Sequence, residues 1–237
     1  MKRFYLNNDQ FKTRTIDGDE FNHIKNVMRM NKGDEFIAFI GDEKDYSCVI
    51  EDIKKDHIFF SIISDSVNIA NPRISISLFQ ALAKGEKMEL VAQKTTEIGI
   101  SHFYPLYTKN CDVKPNTTKT NRLEKIIISA CKQCGRSHLP TIHPIITTND
   151  AIKELRNFDL VLFANETESN TRIYDVLANN QSAKNIALII GPEGGFTPDE
   201  INLFSTISTS VSFGKRILRT ETASIYLTSI INDFYRN

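Results

Sequence analysis

Two glycine-bearing segments near the end of the chain carry the residue types and spacing that point to chemistry. The first is Ile189-Ile190-Gly191-Pro192-Glu193-Gly194-Gly195-Phe196-Thr197-Pro198-Asp199-Glu200. An apolar run ends in a glycine-rich loop and enters a helix. Thr197 is its N-cap, Pro198 its first residue, and Glu200 closes a capping box three residues after the cap. Glycines after a strand let a ligand approach the backbone closely. Open α/β folds bind ligands at the C-terminal ends of their strands. No Gly-Lys-Ser/Thr follows, so the loop is not a P-loop, and the Gly-x-Gly-x-x-Gly spacing of a dinucleotide site is missing. On these residues alone, a ligand loop and a plain structural turn fit equally well.

The second segment is Val211-Ser212-Phe213-Gly214-Lys215-Arg216-Ile217-Leu218-Arg219-Thr220-Glu221-Thr222-Ala223-Ser224. It reads as a short strand, an irregular basic stretch, and a helix capped by Thr220. Arg219 and Glu221 flank that cap, which also suits a surface ion pair. Both segments end a strand and open a helix, so together they weigh more than either does alone.

The elements that must position these loops follow from periodicity. Residues 1–71 read as a small β-rich module, with strands at 35–40, 46–50 and 57–63 between turns, and one helix near Glu20 to Met30. Short strands with frequent turns suggest a small barrel. Ser66–Arg73 marks a boundary. Residues 72–237 then alternate strands and helices: strands at 74–78, 158–163 and 186–190, helices at 84–98 and from Thr220 to about Tyr235. The run Ile186-Ala187-Leu188-Ile189-Ile190 has the continuous apolar character of a strand covered on both faces. This alternation predicts an α/β domain with a largely parallel sheet.

Composition narrows the classes. Lys plus Arg and Asp plus Glu are each 29, which argues against a generic polyanion binder. The balance hides a local excess: between Lys109 and Pro140 stand Lys109, Lys114, Lys119, Arg122, Lys125, Lys132 and Arg136 against only Asp112 and Glu124. Such a patch suits phosphates, and equally suits a solvated helix face. The N-terminus has no apolar leader-like core, and no stretch approaches 18 apolar residues, so a cytoplasmic protein without a membrane span is expected. Cys48, Cys111, Cys131 and Cys134 read as reduced thiols. Cys131-x-x-Cys134 falls inside a helical pattern, and the spacing to Cys111, His138 and His143 fits no usual zinc site, so no metal is expected.

At the two glycine segments the chain resembles the RsmE family of ribosomal RNA methyltransferases, in the SPOUT superfamily. The resemblance extends to Gln93-Lys94-Thr95-Thr96-Glu97-Ile98-Gly99, to Arg122 through Ala130-Cys131-Lys132-Gln133-Cys134-Gly135-Arg136, to Arg3-Phe4-Tyr5, and to His23 through Asp34. It departs at Lys132, where the family usually has an acid, and at Cys134, where it usually has a serine. The resemblance implies a PUA-like RNA-binding β-barrel over 1–71 and a trefoil-knotted methyltransferase domain over 72–237. Sequence rules alone would draw an unknotted sheet. It further implies a homodimer, S-adenosylmethionine as cofactor, 16S rRNA in the assembled 30S subunit as partner, and 3-methyluridine as product.

On this reading Gly191, Pro192, Glu193, Gly194, Gly195, Phe196, Phe213, Gly214, Ile217 and Leu218 hold the cofactor. Arg3, His23, Arg29, Lys114, Arg122 and Lys125 meet RNA. Arg136 and Arg219 stabilise negative charge on the uracil or grip the adjacent phosphate, and Glu221 is the weaker candidate for proton acceptor. The rival readings are methylation of another RNA atom (ribose 2′-O or guanine N1), a non-catalytic RNA-binding protein, and a nucleotide-dependent α/β enzyme, which the missing phosphate motifs disfavour.

Overall fold

The computed structural model describes residues 1–115 and 120–236. Lys119, one of the basic residues counted above, lies outside the described residues. The chain packs as two units, one of residues 1–71 with 128–139, the other of residues 72–127 with 140–237. The first unit thus takes in a segment from the middle of the chain that sequence patterning had assigned entirely to the second.

The first unit runs β1 (Arg3–Tyr5), α1 (Asn8–Thr13), β2 (Thr15–Ile16), α2 (Gly18–Asn22), β3 (Glu35–Phe39), β4 (Lys44–Ile53) and β5 (Ile58–Val67). Its five strands pair in the order β1-β3-β4-β5-β2, with β1 parallel to β3 and the other pairs antiparallel. Alternation puts Phe36 and Ala38, Cys48 and Ile50, and Ile58 and Phe60 inside, where they pack with Phe4 and Ile24. Phe4 meets Phe36 edge-on at 5.6 Å, and Phe36 meets Phe60 at 5.8 Å, so these aromatics build core. The expected helix at 20–30 divides. After α2 it widens into a π-turn over His23–Val27, with Met28 N–H donating to His23 C=O, and ends at Arg29 with φ of 51°.

The second unit continues with β6 (Ser75–Ala81), α3 (Lys87–Ile98), β7 (His102–Tyr107), α4 (Thr120–Cys134), β8 (Thr141–Ile142), β9 (Ile146–Thr147), α5 (Thr148–Leu155), β10 (Leu160–Ala164), α6 (Ile173–Ala178), β11 (Asn185–Ile190), α7 (Pro198–Ser205), β12 (Thr209–Val211) and α8 (Thr220–Phe234). The last turns of α4 pack with the first unit. Strand order is β12-β10-β11-β6-β7-β8, with β9 also beside β7, and every pair is parallel. β10 and Ile186–Ile190 of β11 are buried throughout, as strands covered on both faces must be. Phe79, Phe163, Ile189 and Phe204 form a core on one side. α8 buries Ala223, Leu227, Ile230 and Ile231. Among the described residues no helix is long and apolar enough to cross a membrane.

Strand β7 was not foreseen, because Pro105 spoils its composition. It survives because β8 pairs only His102 and Phe103 while β9 pairs Leu106 and Tyr107, so Pro105 has no partner on that edge.

Candidate active site

The strands β12, β10 and β11 are neighbours and parallel, so the segments that follow them emerge at the same edge of the sheet. There they border a cleft, open to solvent, whose lining includes Asn165 and Glu166 after β10, Gly191, Gly195 and Phe196 after β11, and Leu218 and Thr220 at the start of α8. Ile190, Ile201 and Ala223 add apolar surface. A cleft with apolar walls and a few polar groups at its rim is the usual form of a small-molecule site.

The glycine loop is held from several directions. Thr197 and Glu200 form the expected capping box. Glu200 does more: its carboxylate also accepts from Lys109 N–H at 2.9 Å and from the Thr148 hydroxyl at 3.1 Å, joining the loop to the segment after β7 and to α5. Burial works to raise the Glu200 carboxyl, but the hydrogen bonds from Thr197 and Lys109 outweigh it and hold it below the usual carboxylate range. Glu193 accepts from Lys87 Nζ at 2.8 Å and Lys84 N–H at 3.2 Å. Burial again opposes ionisation there, and again the hydrogen bonds prevail, that from Lys87 foremost. Asn110 Nδ2 donates to Gly194 C=O at 3.1 Å.

Two glycines are required by geometry. A Cβ on Gly191 would stand 2.8 Å from the Phe196 ring, so the ring packs directly against bare backbone. Gly195 has φ of +67°, a conformation side chains disfavour, and a Cβ there would meet Glu166 Oε1 at 3.1 Å.

Of the sequence-derived cofactor residues, Gly191, Pro192, Gly195, Phe196 and Leu218 line the cleft together. Glu193 and Gly194 face the tethers just described. Phe213, Gly214 and Ile217 are not among the lining residues, and Ile217 is 83% exposed. Ala164, Asn165, Glu166 and Thr220 were missed. The signal for the first three was available: they end an apolar strand, where parallel sheets place ligands.

Thr220 was expected to cap α8. The N-cap is instead Arg219, whose side chain makes no capping bond. The Thr220 hydroxyl donates to Gly191 C=O at 2.6 Å and so fastens the start of α8 to the glycine loop. Among the described residues no ion pair joins Arg219 to Glu221; Glu221 Oε2 is buried without a hydrogen-bond partner.

The residues assigned to RNA divide by environment. Arg29, Lys114, Arg122 and Lys125 are exposed, although Arg122 pairs with Glu89 at 2.7 Å. His23 stands half-buried, edge-on to Phe4 and 3.6 Å from Glu20. Arg3 is turned inward: its guanidinium makes two hydrogen bonds to Asp45, at 2.9 and 3.0 Å, and one to the Ser137 hydroxyl at 2.8 Å. These contacts occupy the donors a phosphate would need, and give Arg3 a role in holding residues 136–137 to the first unit. Arg136 also belongs to the first unit, 2% exposed, and burial lowers its guanidinium from the usual value. Burial pushes the Cys131 thiol up to about 12, which leaves it protonated and unreactive.

Comparison with known proteins agrees with this architecture. Residues 70–232 match the family model of the RNA methyltransferase domain, and residues 16–63 that of the RNA methyltransferase PUA domain. The fold and cleft are thus those of the RNA methyltransferase class. Ribosomal RNA small subunit methyltransferase E of Mesomycoplasma hyopneumoniae is 31% identical over 98% of this chain and 100% of its own length. The Bacillus subtilis protein of the same name is 30% identical over 93% of this chain and 90% of its own length. The chain belongs to the ribosomal RNA small subunit methyltransferase E family. A solved structure of that enzyme from Neisseria gonorrhoeae, bound to S-adenosyl methionine, superposes with a TM-score of 0.84 at 26% identity, covering 99% of this chain and 98% of that one.

Proposed function

We propose that this chain transfers a methyl group from S-adenosylmethionine to N3 of a uridine in 16S rRNA of the small ribosomal subunit. The observation that carries the reading is the cleft at the ends of three adjacent parallel strands, walled by a braced glycine loop, in a chain of this family. Its donor set suits the cofactor: apolar Ile190, Phe196 and Leu218 offer surface for a flat purine, and bare backbone at Gly195 admits close approach.

When bound, the cofactor supplies an electrophilic methyl group on a sulfonium. The chain's own task is to orient the base and to favour its deprotonated form, because uracil N3 is a poor nucleophile while it keeps its proton. Positioning and fixed charge provide most of such a rate. Arg219 stabilises the anionic uracil or holds the neighbouring phosphate; Arg136, expected to share that task, is 2% exposed inside the first unit and is a packing residue there. Glu221 is the proton acceptor of this scheme, supported by the finding that its buried Oε2 is not consumed by Arg219. Arg29, Lys114, Arg122 and Lys125 contact phosphates, His23 also meets RNA, and the target base is turned out of its stack.

The same reading makes the second unit a SPOUT-type trefoil knot, the first a PUA-like barrel, and the molecule a cytoplasmic homodimer. Support for the knot comes from residues 213–220, which leave edge strand β12 and return to hydrogen-bond at the ends of β11 and β6 in mid-sheet. Support for the dimer comes from α8, where Tyr226 is 46% exposed and Ile225 half-buried. Ile231 of the same helix is fully buried inside its own unit and adds nothing to that face.

Mass spectrometry of nucleosides from 16S rRNA, after 30S subunits are incubated with the protein and labelled S-adenosylmethionine, tests the proposal. Labelled 3-methyluridine is the expected product. A labelled 2′-O-methyl nucleoside or 1-methylguanosine refutes the atom assignment, and no label refutes the activity.

A further inference from the structure

Behind the cleft, a closed run of side-chain hydrogen bonds ends on the first glycine of the loop. It starts at Gln80, near the end of β6, which is fully buried and does not line the cleft. Gln80 Nε2 donates to Ala81 C=O at 3.0 Å and to Thr220 Oγ1 at 2.9 Å. Gln80 Oε1 accepts from the Ser224 hydroxyl. Thr220 Oγ1 then donates its one proton to Gly191 C=O at 2.6 Å.

The direction of this run is not arbitrary. A carbonyl only accepts, so Ala81 C=O requires the NH2 side of the Gln80 amide and fixes its orientation. With the NH2 also directed at Thr220, the Thr220 hydroxyl receives a hydrogen bond from Gln80, and its own proton is left for Gly191. A reversed amide would take the Thr220 proton itself and leave Gly191 C=O without it. A buried glutamine costs stability unless every polar atom is satisfied, and a methionine of similar length would fill the same space without that demand. Fully satisfied buried networks fix one geometry among several.

We infer that Gln80 is a positioning residue for the methyl-donor cleft. It sets the direction of the Thr220 hydroxyl, Thr220 fixes the Gly191 peptide, and that peptide begins the loop against which the donor lies. The inference rests on the reading of the cleft as the donor site.

The test uses the full chain in five forms: wild type, Gln80→Met, Thr220→Val, the double variant, and Thr220→Ser. Titration calorimetry with S-adenosylmethionine is read beside amide hydrogen exchange of ligand-free protein over residues 191–197. Gln80→Met and Thr220→Val should each weaken binding about tenfold, as the loss of one buried hydrogen bond does. Each should also speed exchange in the loop. The double variant should be no weaker than either single one, because both cut the same run. Thr220→Ser should recover the affinity that Thr220→Val loses. Gln80→Glu, nearly isosteric but without the NH2 donor, replaces Gln80→Met if that variant does not fold, with the same expectation. Wild-type affinity and wild-type loop exchange in a folded Gln80 variant overturn the inference, as do additive losses in the double. If the wild type takes up no donor, the donor reading falls, and loop exchange alone then decides whether Gln80 holds the loop.

Discussion

Replacing Gly191 by alanine isolates one contact on which the cleft depends. The backbone of Gly191 is not in the left-handed region, so alanine brings no conformational penalty there. What it brings is a Cβ at 2.8, 3.1 and 3.4 Å from three carbons of the Phe196 ring. Carbon atoms rest about 3.5–4.0 Å apart, so the ring must retreat by roughly 0.7 Å or more. It has little room to do so. Phe196 is packed edge-on against Phe163 at 5.1 Å and Phe204 at 5.4 Å, and both of those rings are fully buried. Overpacking of this kind costs about 1–3 kcal/mol. For a unit of this size each kcal/mol lowers the melting temperature by about 2–4 °C. Urea denaturation followed by a probe in the second unit measures the cost, and calorimetry with S-adenosylmethionine measures the accompanying loss of affinity. Phe196→Leu in the same chain should relieve the clash, so that the double variant loses at least about 1 kcal/mol less than the two single losses added together. A Gly191→Ala protein with wild-type stability and affinity would refute the close packing of ring on glycine.

Gly195→Val should abolish binding of S-adenosylmethionine in calorimetry, because it puts a branched side chain at φ of +67° beside Glu166; unchanged affinity would move the cofactor elsewhere. The Glu200 carboxyl titrates below its unfolded value, so its contribution to stability is present above that value and lost as pH falls through the folded one. Glu200→Gln should accordingly flatten the acid limb of the second unit's stability profile, and an unaltered limb would count against the role given to Glu200. Lys114→Ala and Lys125→Ala should each weaken RNA binding mildly and reduce its salt slope by about one, whereas Arg219→Ala should cut single-turnover methylation of 30S subunits far more than cofactor affinity. Wild-type turnover in Arg219→Ala would overturn its charge-stabilising role. Light scattering at micromolar concentration should give twice the 27.0 kDa of one chain, and a monomer would overturn the dimer.

What the sequence made legible was local. The apolar run 186–190 reads as a strand covered on both faces and is one. The Thr197–Glu200 capping box was visible because its partners lie three residues apart. The other two partners of Glu200 were not, since Lys109 and Thr148 stand 91 and 52 positions away and only the folded sheet brings them near. Thr220 shows the limit most clearly. As a residue type it suits an N-cap, but a fold that carries it against Gly191 and Gln80 gives its hydroxyl better partners than its own helix. Arg3 read as an RNA contact and Arg136 as a substrate contact because arginine is usually exposed, and Asp45, the partner that draws Arg3 inward, lies 42 residues along the chain. Asn165 and Glu166 carry no glycine or capping signal of their own; the end of a neighbouring parallel strand is what makes them part of the edge.

The strand order has a consequence for how the protein is made. β6 is the first strand of its sheet to be synthesised, yet its neighbour β11 is translated more than a hundred residues later, after β7 and β10. The last tie at the cleft comes later still, with Thr220 at the opening of α8. Parallel pairing of such distant segments is slow, because the chain must close long loops before any contact rewards it. A nascent chain therefore carries the apolar face of β6 half-covered through most of translation, and no partial product can hold a methyl donor in this cleft. The cleft is complete only once α8 has docked and Thr220 meets Gly191.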